Sequence, residues 1–366
     1  MFCCSEAHVI LINMSDFKSL IVDTTDRIFR ELAQPQEIIL GLQEDWEISL
    51  WNTLEEAGLT LAWVPEKYGG SGVEIEEGFK ILEIAGRYAV SVPLAETLLA
   101  GWLLAKAELS VPMAPITVSV PGRGQMLRIA DGKLYGNAQG IPCLDLADYF
   151  LCIAEEGEDT RVVLVALDDA ESASDPGMRG DGTGKVKFNG TDVVRCAPVP
   201  KISFADDLLL MGAAVRSQLM AGALQTVLEF SVTYAQERHA FGRPIGKFQI
   251  VQQNLARLAA ETAAAAAAAG SAADTIQNAK SFDESVILEV AAAKIRTGEA
   301  ATEGSAIAHQ VHGAMGFTAE HVLQRFSKRL FAWRDDFGTE TEWAVRLGRL
   351  VAANGADKLW PMIASR

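Results

Sequence analysis

The sequence predicts an α+β multidomain fold, with a helical segment, a β segment and a second helical segment in that order. Three observations carry the expectation. Apolar residues recur at three- and four-residue spacing from Ser15 to about Lys106. Short runs of alternating polarity, separated by Gly, Pro, Asp and Asn, begin near Val111. Helical spacing returns near Asp206 and lasts to the end. The expected domains are 15–110, 111–205 and 206–366, after a tail at 1–14 that is either disordered or a mis-assigned start, since Met14-Ser15-Asp16 is a more natural beginning.

In the first segment the spacing predicts helices over Phe17–Leu32 and Trp46–Leu54 and another beginning near Glu74. Pro65 and Gly69-Gly70 place a turn within Ala57–Gly72. The β segment offers strands at Ile116–Val120, Tyr149–Ala154, Arg161–Leu167 and Gly184–Phe188, enough for a small barrel or sandwich. Beyond it, helices are expected over Leu208–Glu237 and Phe248–Ala268. Glu261–Ala273 is nearly all alanine, which favours helix and lets neighbouring helices approach closely, as in a bundle.

Composition excludes several classes of function. Among 366 residues, 48 are acidic and 32 basic, and the net charge of -16 repels nucleic acid and anionic lipid. Any anionic ligand therefore needs a local basic cluster. Five cysteines, Cys3, Cys4, Cys143, Cys152 and Cys196, are too few and too irregular for a disulfide framework or a zinc site, and point to a reducing cytoplasm. His309 and His312 have no carboxylate or thiol at ligand spacing, so no metal is expected. No apolar run reaches the roughly 18 residues needed to span a bilayer. The first residues lack the positive region and cleavage site of a signal peptide.

Between the two long helical patterns lies R-H-A-F-G-R-P-I-G-K-F-Q, Arg238 to Gln249. Gly242, Pro244 and Gly246 turn the chain there, and Arg238, Arg243 and Lys247 gather at helix ends, where they can hold an anion. The pattern R-x-x-F-G-x-P-I-x-x-F-Q resembles the signature of the acyl-CoA dehydrogenase family. Ala57–Gly72 resembles a turn of that family's N-terminal domain, and Asp131–Ala154 a shortened form of its middle-domain hairpin. The resemblance implies the family's fold: an N-terminal helical domain, a middle β-barrel or sandwich and a C-terminal four-helix bundle. It also implies FAD as cofactor, an acyl-CoA substrate and an electron-transfer flavoprotein as acceptor.

Three sets of functional residues can be carried over one at a time. The first binds the adenylate half of FAD across a subunit interface. Arg238, Phe241 and Gln249 match its loop, and Gln310 and Gly313 match a Q-x-x-G-G-x-G turn in which Ala314 replaces the second glycine. The second set cradles the flavin ring, where the family has approximately T-E-P-x-A-G-S-D. Here Ser119–Met126 keeps only the hydroxyl of Ser119, and a count back from Tyr149 puts Gly140-Ile141-Pro142 where an aromatic-Ile-Thr segment is expected. The third set is the base. Its Glu-Gly-Thr triplet falls on Phe337-Gly338-Thr339, and an alternative position on the preceding helix falls on Gly212.

Neither position for the base holds a carboxylate. Asp336 or Asp335 is the available substitute after a small register change, with a reach about 1.5 Å shorter than a glutamate's. The other explanation is a subunit that completes a partner's site, as in the heteromeric α2β2 acyl-CoA dehydrogenases of bacterial steroid side-chain catabolism, which Leu330–Trp343 also resembles. That reading accounts for an intact FAD loop, an altered ring pocket and a missing base together. A homotetramer with an unorthodox base, and a flavin-free scaffold of the same fold, are the alternatives.

Overall fold

The computed structural model describes residues 14–42, 45–118, 127–168, 170–175 and 183–364. The tail at 1–13 and the Ser119–Met126 segment lie outside them. The first helical unit comprises α1 (Met14–Leu32), α2 (Pro35–Ile39), α3 (Trp46–Glu56), α4 (Ile75–Arg87) and α5 (Leu94–Lys106). Its apolar stripes converge on Phe29, Leu50, Leu54, Phe79 and Leu82, all fully buried.

Among the described residues seven strands follow: β1 (Ile116–Val118), β2 (Arg128–Ala130), β3 (Lys133–Ile141), β4 (Tyr149–Glu156), β5 (Asp159–Ala166), β6 (Glu171–Asp175) and β7 (Thr183–Val199). Six of them run in the order β1-β4-β2-β3-β7-β5, β6 pairs with β7 off that path, and β5 pairs back onto β4, so the sheet closes on itself. The alternation along β4 explains why its middle is apolar on both faces. Phe150, Cys152 and Ala154 fill the inside with Leu134, Val163 and Phe188, whereas Leu151 and Ile153 join the core shared with the helices.

The last unit contains α6 (Lys201–Glu237), a two-strand hairpin of β8 (His239–Ala240) and β9 (Arg243–Pro244), α7 (Gln249–Asn278), α8 (Glu284–His312), α9 (Leu323–Asp335), α10 (Glu340–Asn354) and α11 (Ala356–Ala364). The order helical, β, helical is the one expected from the sequence. At 37 residues α6 is about 55 Å long. It packs against α7, α8 and α9 in the bundle and against α4 of the first unit. The α4–α6 crossing is made by bare backbone. A Cβ on Gly222 would lie 1.9 Å from the Glu83 carbonyl oxygen, and one on Gly86 would lie 2.2 Å from that of Leu219. The alanines of α7 serve the same purpose, with Ala265, Ala269, Ala272 and Ala273 buried in the bundle.

Candidate functional site

α6 ends where Arg238 donates its amide to the Tyr234 carbonyl at 2.8 Å, and the Arg238 carbonyl accepts from the Ile245 amide at 2.8 Å. Between these bonds the hairpin turns through Phe241 and Gly242, with φ of 53° and 78°. Positive φ at both central residues is the mark of a type I′ turn, which glycine adopts freely and phenylalanine at a cost of about 1 kcal/mol. Phe241 is also 97% exposed. A large ring held outward on a strained turn suits contact with something outside this chain. Arg238, Lys247 and Gln249 are exposed beside it, while Arg243 lies over the Phe248 ring at 4.3 Å. No side chain caps the N-terminus of α7. The helix N-terminus and the neighbouring cations form a positive end in an acidic chain.

The second predicted segment lies at the end of α8. Gln310 is exposed, and Gly313 has φ 61° and ψ −143°, with nothing within 4 Å of a Cβ placed there. Both residues line a groove of about 830 Å³ with His309, Phe317, Lys328 and Phe331. A ring contact joins this segment to the hairpin, since Tyr234 stacks on His312 with centroids 4.5 Å apart. Residues 238–249 and 310–313, distant in sequence, thus share one end of the bundle. Among the described residues no group of His, Cys, Asp and Glu is placed to hold a metal ion, and no helix is long and apolar enough to cross a membrane.

The two positions expected for a base meet each other. A Cβ on Gly212 would lie 2.3 Å from Cδ1 of Phe337, so the phenyl ring fills the space that the glycine leaves. Phe337 has φ 54° and Gly338 φ 98°, and the turn they form is held from three sides. The Phe337 carbonyl accepts from Trp343 Nε1 at 2.9 Å. Lys294, fully buried, donates to the carbonyls of Gly338, at 2.9 Å, and Arg334. Burial lowers its pKa to about 8, against the pull of Asp336 and Glu340. Arg216, 2% exposed, donates through Nε to Asp336 at 3.1 Å and through Nη2 to Glu96 at 2.5 Å. Burial alone would lower the Arg216 pKa, but Glu96 and Asp336 outweigh it and raise it, so the guanidinium stays charged. Phe337 and Asp336 border a cleft of about 800 Å³ that also touches Val118, Gly140, Pro142 and Leu209.

Comparison with known proteins decides what this arrangement is. The acyl-CoA dehydrogenase N-terminal domain matches residues 15–107 and the acyl-CoA dehydrogenase C-terminal domain matches residues 204–334, together more than half of the chain. The chain belongs to the acyl-CoA dehydrogenase family. It is 27% identical over 346 residues to acyl-CoA dehydrogenase IpdE2 of Mycolicibacterium smegmatis, which covers 91% of this chain and 98% of that protein. In fold it is similar to a chain of the ChsE4-ChsE5 complex from Mycobacterium tuberculosis, with a TM-score of 0.82, 24% identity and coverage of 93% and 98%. A variant of the Tcur3481-Tcur3483 steroid ACAD gives a TM-score of 0.82 at 21% identity, covering 93% and 99%.

An acyl-CoA dehydrogenase is a flavoprotein, and its cofactor is FAD. The end of the bundle with Arg238, Phe241, Gln249, Gln310 and Gly313 fits the phosphate-bearing half of that molecule, having exposed cations, a helix N-terminus without a side-chain cap and an open glycine turn. The cleft fits the ring half less well. Of the ring segment, Gly140 and Pro142 line the cleft with no aromatic ring or hydroxyl, Ile141 is buried, and the Pro142 carbonyl is occupied by the Thr117 hydroxyl at 2.6 Å. Ser119 falls outside the described residues. The Thr339 hydroxyl is engaged locally as the N-cap of α10, accepting from the Glu342 amide and donating to the Glu342 carboxylate at 3.2 Å.

Sequence reasoning did not find Arg216, Glu96, Lys294 or the Tyr234–His312 contact. Arg216 is a lone charge within an apolar helical stretch, which is a signal of a buried partner, whereas Lys294 has Arg296 two residues on and gives no such signal. Their partners, on α5 and on the turn after α9, were not visible.

Proposed function

We propose that this chain is the subunit of an α2β2 acyl-CoA dehydrogenase that completes a partner's FAD site and leaves proton abstraction to that partner. The observation that carries the reading is the Phe337–Gly212 contact, which puts a hydrocarbon ring at both positions where a base is expected. Asp336 offers no substitute on this reading, because its carboxylate is engaged by the buried guanidinium of Arg216. The dehydrogenation needs a carboxylate to take the α-proton of a CoA thioester, and bound FAD supplies the sink for the hydride from the β-carbon.

This chain's own contribution is electrostatic and positional. Arg238 and the uncapped amides of α7 neutralise the cofactor's phosphates, Phe241 enters the neighbouring subunit, and Gln310 and Gly313 form the polar turn beside them. The partner is a homologous subunit that carries the glutamate and an intact ring pocket. The kinship in fold with a heteromeric complex and with a steroid ACAD supports that partner and a bulky, steroid-derived CoA thioester as substrate. Electron-transfer flavoprotein as acceptor and a cytoplasmic location complete the reading.

The test is Arg238→Ala in the complex purified with its partner. The reading expects assembly to persist while bound flavin absorbance falls by about tenfold or more, the loss of one charge-assisted phosphate contact. Flavin retained at the wild-type level would overturn it.

A further inference from the structure

We propose that the ring stack of Tyr234, His312 and His321 positions the two segments of the cofactor half-site against each other, and that it holds them only while His312 is uncharged. The proposal rests on reading this end of the bundle as an FAD half-site. Its own basis is local geometry. Tyr234 lies one helical turn before Arg238, and its carbonyl receives the Arg238 amide at 2.8 Å. His312 is the residue before Gly313, the open turn of the second segment. The two rings stack at 4.5 Å and 28°, and His321 closes the cluster edge-on, 4.9 Å from His312 and 6.5 Å from Tyr234. A shift of either ring therefore moves one segment against the other.

Hydrogen bonds fix which nitrogen carries the proton. His312 Nδ1 faces the Ala308 carbonyl at 2.8 Å and must donate to it, so Nε2 is the bare nitrogen of the neutral ring. His321 Nδ1 accepts from the Leu323 amide at 3.1 Å, which sets the orientation of that ring. His312 is only 3% exposed, and among the described residues its Nε2 has no polar partner. A neutral ring tolerates a bare lone pair in this setting. A protonated one would bury a charged N–H with no acceptor, which is much the more costly state.

The surroundings act in the same direction. α8 contributes His309, whose ring stacks on Phe317 at 4.2 Å and whose Nε2 meets Ser327 Oγ of α9 at 2.9 Å. The segment before α9 contributes His321, flanked by exposed Glu320. α6 contributes the Tyr234 face, which attracts a cation only weakly. α9 sets Lys328 at the rim of the same groove. Burial holds His312 below the usual imidazole value, the Ala308 carbonyl works the other way, and His321 and His309 lower it further. Because the pKa is depressed in the assembled state, the neutral stack is fully favoured above an ordinary imidazole pKa of about 6.5, and the preference is lost as pH falls below it.

The experiment measures the FAD dissociation constant of the complex with its partner, by flavin fluorescence, at about pH 7.5 and about pH 5.5. Wild type should bind more weakly at the lower pH by a factor between about two and about ten, the upper value being the limit set one pH unit below the ordinary imidazole pKa. His312→Phe keeps a ring and removes the charge, so it should match wild type at the higher pH and lose the acid weakening. His312→Ala, checked for assembly by mass, should bind about tenfold more weakly at both pH values. Acid weakening that persists unchanged in His312→Phe, or wild-type affinity in His312→Ala, would overturn the proposal. If instead Arg238→Ala binds FAD normally, the half-site reading itself is what fails.

Discussion

Asp336 sits one residue from a position expected for the base, and its carboxylate accepts from Arg216 at 3.1 Å while the same guanidinium reaches Glu96 on α5. A carboxylate bound to a buried guanidinium is held by it rather than free to reach a substrate, and losing it would leave Arg216 with Glu96 alone. Asp336→Asn in the complex should therefore leave turnover unchanged and lower stability by about 2 kcal/mol, the order of one hydrogen bond to a charged group. Steady-state turnover and thermal melting check both parts. Turnover about 100-fold lower at unchanged stability would instead make Asp336 the base. Counting along the sequence was enough to bring Gly212 and Phe337 under suspicion, because those positions are defined by spacing from motifs. The network behind them was not legible, because Arg216 meets Asp336 across 120 residues, and only the fold sets that distance.

At the scale of elements, the α4–α6 crossing holds the first helical unit against the bundle. Gly222→Ala would drive a methyl group into the Glu83 carbonyl, at 1.9 Å, and should cost about 2 kcal/mol or more. Gly270→Ala on α7, where nothing lies within 4 Å of the new Cβ, should instead stabilise by up to about 1 kcal/mol through helix propensity. Denaturant melts of the two variants should move in opposite directions. Elements with strong periodicity were legible from sequence, as α6 and the apolar centres of β4 and β5 show. β3 was legible only through the hairpin resemblance of Asp131–Ala154 and not through periodicity, and most of β7 was missed. Lys133–Ile141 carries Gly136, Asn137 and Gly140 on a half-exposed strand, and its burial alternates too weakly to mark it. α7 runs on to Asn278, past both the periodic stretch ending at Ala268 and the alanine-rich stretch ending at Ala273, and it packs against α8.

For the whole molecule, the proposed function uses the positive end of the bundle and not the cleft that Phe337 borders. One end exposes Phe241, Arg238 and an open glycine turn to whatever lies beyond the chain. The other closes Phe337 onto Gly212. A self-sufficient enzyme would need both ends to serve one flavin per chain, whereas a subunit paired with an unlike partner needs only the first. Flavin content and mass of the chain purified alone, and again with a homologous subunit that carries the glutamate, test this most directly. The account predicts a colourless chain alone and about one FAD per pair of unlike chains in an active α2β2 complex. A yellow homotetramer with about one FAD per chain and its own turnover of an acyl-CoA would contradict it.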